Sequence, residues 1–112
     1  MMSRSGHAYI QGQYAGIIRQ DEDGYSFTYD PTYLHSENPI PISLTLPLRK
    51  ESYRGKTMIP FFDGLIPEGW FFEPEAEDRK LNPRDRMGLL LSLCTDCIGT
   101  VSIVPVEEAE YE

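Results

Sequence analysis

From Tyr25 to Asp30 the chain alternates strictly, with Tyr25, Phe27 and Tyr29 on one side of an extended segment and Ser26, Thr28 and Asp30 on the other. A period of two marks a strand with one buried face. Asp21-Glu22-Asp23-Gly24, just before it, is a polar turn ending in an Asp-Gly pair that tolerates positive φ. Two more strands precede that turn, His7 to Gln11 and Tyr14 to Arg19, around a hairpin turn at Gly12-Gln13. Turns this short can join only antiparallel neighbours, because a parallel pair needs a crossover of about a dozen residues or more. An antiparallel meander therefore constrains the fold before any other feature is weighed.

Asp30-Pro31 stops the third strand, and the connection from Thr32 to Pro41 has room for one helical turn at Tyr33-Leu34. Ile42, Leu44, Leu46 and Leu48 then alternate with Ser43, Thr45 and Pro47, which predicts a fourth strand. Pro47 cannot donate a ladder hydrogen bond, so that strand is expected along an edge. Arg49 to Thr57 is polar and reads as a surface loop. Pro60 suits the first position of a short helix through Leu65, and Pro67-Glu68 opens another that Pro74 would break. Asn82-Pro83-Arg84-Asp85 predicts a helix start with Asn82 as N-cap. Met87, Leu90, Leu91 and Cys94 follow at the spacing of one buried helix face, and Gly99 to Val104 alternates as a last strand. Runs of strands followed by runs of helices predict an α+β fold: about five mainly antiparallel strands with two or three helices on one side. Residues 1–112 are expected to form a single domain, with loose tails at 1–6 and 107–112.

The charge balance bears on partners. Ten basic against 18 acidic side chains give a formal charge of −8. Nucleic-acid binding draws its affinity from phosphate neutralisation, so direct contact with DNA or RNA is not expected. Arg79, Lys80, Arg84 and Arg86 cluster, but ion pairs with Glu77, Asp78 and Asp85 account for them. An acidic protein suits a basic protein cleft. No apolar run is long enough to span a membrane, and the cytosol is the expected compartment.

The residue types that carry catalysis are sparse. No phosphate-cradling glycine loop and no nucleophile elbow occurs, and no cofactor is expected. His7 and His35 read as exposed bystanders, one near a terminus and one in a loop. Cys94-Thr95-Asp96-Cys97 has the spacing of a redox pair, but it follows a helix C-terminus, where the dipole disfavours a thiolate. A zinc site would need a second pair. Both cysteines therefore read as small buried residues, and a thiol oxidoreductase is the remote alternative.

The segment that stands out is Ile59 to Phe72, with Phe61, Phe62, Leu65, Ile66, Trp70, Phe71 and Phe72 in 14 positions. Two short helices cannot bury every ring, and exposed aromatic residues commonly mark protein contacts. Asp63 and Glu68 lie among these apolar residues, where helix-end capping is their simplest role.

Pro60-Phe61-Phe62-Asp63-Gly64-Leu65-Ile66-Pro67-Glu68-Gly69-Trp70 resembles the P-F-F-D-x-L-L-P-E-G signature of the HipA N-terminal subdomain. Pro41 to Leu48 is similar to that family's P-L-S-L-S-L-P-L segment, and Asp96 to Val101 resembles its D-C-x-G-A-V turn, with Thr100 in place of the usual Ala. Three motifs in order extend the resemblance over nearly the whole chain. Phe71-Phe72-Glu73-Pro74 departs from it, since the family usually continues there as an unbroken helix.

The resemblance implies a subdomain that is elsewhere fused to a serine/threonine toxin kinase with a helix-turn-helix antitoxin partner. Kinase catalytic-loop and metal-binding motifs are absent from this sequence. A stand-alone, HipS-like protein of a three-component HipBST-type toxin–antitoxin system is therefore expected, not an enzyme but an antitoxin that docks onto a HipT-like kinase and neutralises it. A HipB-like helix-turn-helix protein is expected in the same complex. Asp63, Ile66, Glu68, Trp70 and Phe71 are the candidate partner-binding residues. The alternative from another class is an accessory scaffold that completes or activates the kinase or bridges it to the DNA-binding partner.

Overall fold

The computed structural model describes residues 4–66, 69, 82, 84–94 and 101–106. The meander is present: β1 (Arg4–Ile10), β2 (Gln13–Asp21) and β3 (Gly24–Tyr29) pair antiparallel in succession. β4 (Tyr53–Gly55) adds to β3 and β5 (Val101–Pro105) adds to β1, giving an open antiparallel sheet of order β4-β3-β2-β1-β5. Three helices are described: α1 (Pro31–Leu34), α2 (Pro60–Asp63) and α3 (Arg86–Leu93). The fold is α+β, as a run of strands followed by helices implies.

The register explains the core. Ala8 faces Gly16 and Ile103, and Gly16 faces Tyr29, so one row crosses four strands on a single face. The next row on that face runs from Gly6 through Ile18 to Phe27. All three helices cover this side. Phe62 of α2 lies 5.1 Å from the Phe27 ring, and Tyr33 of α1 stacks on Tyr29. Leu91 of α3 sits over Gly6, where a Cβ would lie 2.7 Å from its Cδ2. Between the layers Ile18, Phe27, Phe62, Met87, Leu89, Leu90, Cys94 and Ile103 are fully buried. On the opposite face His7, Tyr9, Tyr14 and Ile17 are half-buried.

Several boundaries move, each for a visible reason. β1 begins at Arg4, so residues 4–6 belong to the sheet and not to a loose tail. Arg4 is held there by Asp85, and the Val106 N–H donates to the Ser5 carbonyl at 3.0 Å. The first hairpin turns at Gln11-Gly12, both at positive φ (51° and 81°), the handedness that matches strand twist. Ile42 to Leu48 is not a strand: only an isolated bridge joins Ser43 and Leu46, and the fourth strand is β4, inside the segment expected as a surface loop. α3 starts three residues late. Asp85, not Asn82, caps it, accepting from the Gly88 N–H at 3.1 Å, while Asn82 accepts from the Arg84 N–H in a preceding turn.

Candidate interaction site

Two features surround the aromatic segment that the sequence singles out. The first joins α2 to α3. Pro60 opens α2 at its first position, Phe62 turns inward, and the C-terminal Asp63 faces α3. There the Arg86 Nε donates to Asp63 Oδ1 at 2.6 Å, with both side chains about a third to two-fifths exposed. The expected capping role for Asp63 is thus replaced by an ion pair across 23 positions, a distance that leaves no local sequence signal. The neighbouring Asp85 is held by a different element. That carboxylate takes a bidentate bond from Arg4, at 2.6 and 2.9 Å. Arg4's hydrogen bond holds the Asp85 carboxyl below its ordinary range, against the opposing effect of burial. Adjacent residues at the start of α3 therefore tie down two separate elements, β1 through Asp85 and α2 through Arg86.

Beyond Asp63 the chain makes one more turn and buries Ile66, at 6% exposure, in the core. The Cys94 thiol at the end of α3 donates to the Leu65 carbonyl at 3.3 Å, closing the same junction. Phe61 and Leu65 are half-buried, with Phe61 edge-on to Phe62 at 5.2 Å. The structure thus brings Asp63 and Ile66 together at the end of α2. Glu68, Trp70 and Phe71 lie outside the described residues, as do Cys97, Arg79 and Lys80.

The second feature is the segment from Ile40 to Pro47, which tyrosine hydroxyls organise. The buried Tyr29 Oη accepts from the Ile42 N–H at 2.8 Å and donates to the Leu46 carbonyl. Tyr33 Oη donates to the Ile40 carbonyl at 2.8 Å and accepts from the N–H of the same residue at 3.1 Å. Tyr53 Oη donates to the Pro47 carbonyl. Ile42 and Leu46 drop into the core on either side, and the turn between them throws Leu44 outward to 95% exposure. The phenol of Tyr29 is pushed up by burial, so it stays a neutral donor. Rings at 5.2, 5.1 and 5.0 Å link Phe61, Phe62, Phe27 and Tyr29, so a continuous aromatic column connects α2 with this segment.

Both histidines take defined places. His7 lies within β1, half-buried and edge-on to Tyr14 at 4.9 Å, so it is not an exposed bystander. The exposed His35 closes α1, with its Nδ1 2.8 Å from the Pro31 carbonyl oxygen. Among the described residues no group of three His, Cys, Asp or Glu side chains lies close enough to hold a metal ion. No described helix is long and apolar enough to cross a membrane.

Comparison with known proteins places this geometry in a family. The family model for the HipA N-terminal domain matches residues 6–104. The chain belongs to the HipA N-terminal domain family. A solved structure of the N-terminal domain of HipA toxin superposes with a TM-score of 0.73 at 26% identity, covering 96% of this chain and 97% of that one. An uncharacterized protein of Haemophilus influenzae is 32% identical over 100 residues, 89% of this chain and 91% of its own length. Putative kinase Y4mE of Sinorhizobium fredii is 31% identical over 102 residues. The chain spans about a quarter (24%) of the length of that second relative.

Proposed function

We propose that this protein is a non-catalytic binding module, a HipS-like antitoxin that docks onto a HipA-like serine/threonine kinase and holds it inactive. The observation that carries the reading is the family match over nearly the whole chain, to a domain that makes up only a quarter of the Sinorhizobium relative named as a kinase. The Haemophilus relative, almost co-extensive with this chain, supports the domain's use as a separate protein.

The physical case rests on charge and on aromatic anchors. A kinase cleft is basic where it cradles phosphates, and a protein of charge −8 is drawn to it. Asp63, held half-exposed by Arg86, together with Glu68, Trp70 and Phe71, forms the proposed contact, and Ile66 is buried in the core with its N–H donating to the Asp63 carbonyl. A helix-turn-helix, HipB-like protein is the proposed third component. No direct nucleic-acid contact is proposed, and the cytosol is the proposed compartment. A thiol oxidoreductase is disfavoured by the fully buried Cys94.

An accessory scaffold that completes or activates the kinase is the second reading. The Sinorhizobium relative favours it, because there the domain is part of the longer chain itself. Phosphoryl transfer by the purified HipA-family kinase of the source cells, with and without an equimolar amount of this protein, separates the two. Neutralisation predicts a loss of activity; a gain would replace the antitoxin reading by the scaffold.

A further inference from the structure

We propose that the segment around Leu44 is a second docking point for the kinase polypeptide, an apolar knob that enters an uncharged pocket on it. This rests on the reading of the protein as a kinase-docking module. Leu44 is 95% exposed and Ile40 43%, the two exposed large hydrophobic residues among those described. Pro41 and Pro47 are exposed as well, so four exposed apolar side chains fall within the stretch 40–47 of one loop.

A single exposed leucine on a floppy loop would mean nothing. This one is held. The Tyr29 hydroxyl grips the backbone on both sides of it, at Ile42 and Leu46, and the Ser43 Oγ accepts from the Thr45 N–H at 3.1 Å within the turn. Prolines at 39, 41 and 47 restrict the backbone further. The entropy of ordering this loop is thus lost on folding and need not be lost again on binding, which is what makes a preorganised anchor effective.

The chemistry of the segment selects its occupant. From Asn38 through Leu48 there is no charged residue, in a chain where charged residues make up 25%. Interface centres are depleted of charge in the same way, whereas their rims are polar. The pocket it fits is therefore apolar and neutral, unlike the basic cleft that suits Asp63. One leucine-centred patch is too small to hold a complex alone. It must act with another contact on the same partner, and the aromatic column from Tyr29 to Phe61 ties it rigidly to the α2 end, where the first contact is proposed.

The test is a calorimetric titration of the purified HipA-family kinase of the source cells with the wild-type protein and with Leu44→Asp. At 95% exposure the substitution leaves the melting temperature unchanged. A central apolar anchor predicts binding weakened by roughly 30-fold or more. Equal affinity of the two proteins would overturn the knob while leaving the docking reading intact. No binding by the wild-type protein would remove the docking reading itself, and the knob with it. Sedimentation of the protein alone closes the remaining route: self-association abolished by Leu44→Asp would make a second copy the occupant and overturn the proposal.

Discussion

The meander from Arg4 to Tyr29 and the segment from Ile40 to Leu48 have the same alternating apolar pattern, yet only the first becomes sheet. In the meander neighbouring strands supply the backbone partners, in ladders that run from Arg4↔Gln20 to Asp21↔Gly24 with one register shift between Ala8 and Tyr9. In the second segment prolines at 41 and 47 remove two donors, and hydroxyls of Tyr29, Tyr33 and Tyr53 satisfy backbone groups at 40, 42, 46 and 47. The apolar pattern says which side chains want burial. The supply of hydrogen-bond partners decides whether the backbone between them is a strand. That difference also leaves Leu44 outside, because a turn closed by Tyr29 need not keep alternate residues on one face.

The comparison can be broken from either side. The largest effect is expected in the layer that both regions share: Phe62→Ala should destabilise by about 3–5 kcal/mol in a urea melt, since its ring fills the space against Phe27. Tyr29→Phe should cost about 1–3 kcal/mol, because it strands the buried Ile42 N–H and Leu46 carbonyl. Hydrogen exchange should then show lost protection at the Ile42 amide, whose acceptor is removed, with the β1–β2 amides unchanged. Uniform loss across the sheet would mean that the two regions are not held separately.

Smaller still is the tie between β1 and α3. Asp85→Ala removes a helix cap and a half-exposed ion pair, for about 1–2 kcal/mol. The sign of the pH dependence follows from Arg4, which holds the folded-state carboxyl below the ordinary 3.8. Its stabilisation is full above that value and is lost as pH falls through the lower, folded-state value. Wild type should therefore lose its advantage over Asp85→Asn in acid, a difference measured by melts from neutral pH downward. Leu44→Ser, at the bottom of the range, should change stability by no more than about 0.5 kcal/mol.

Much of this was legible in the sequence. The strands around Asp21 to Tyr29, the short helix opened by Pro60 and the buried face of Met87, Leu90 and Cys94 follow from local periodicity and capping, and they are found. The α3 start is different. Asn82 and Asp85 are both good caps, and what favours Asp85 is Arg4, 81 positions away. The same holds at the candidate site. The apolar company of Asp63 flagged it, but the Arg86 that fixes its carboxylate has no marker within its own neighbourhood. The fourth strand has no local signal of its own: Tyr53–Gly55 is too short to show a period, and its place beside Phe27 is a long-range pairing.

The most direct test of the central claim, that this module docks onto a HipA-like kinase, is affinity capture of the tagged protein from its source cells, read by quantitative mass spectrometry. Recovery of a HipA-family kinase in near-equal amount is the predicted result. Capture without any kinase, from cells shown to express one, would contradict it.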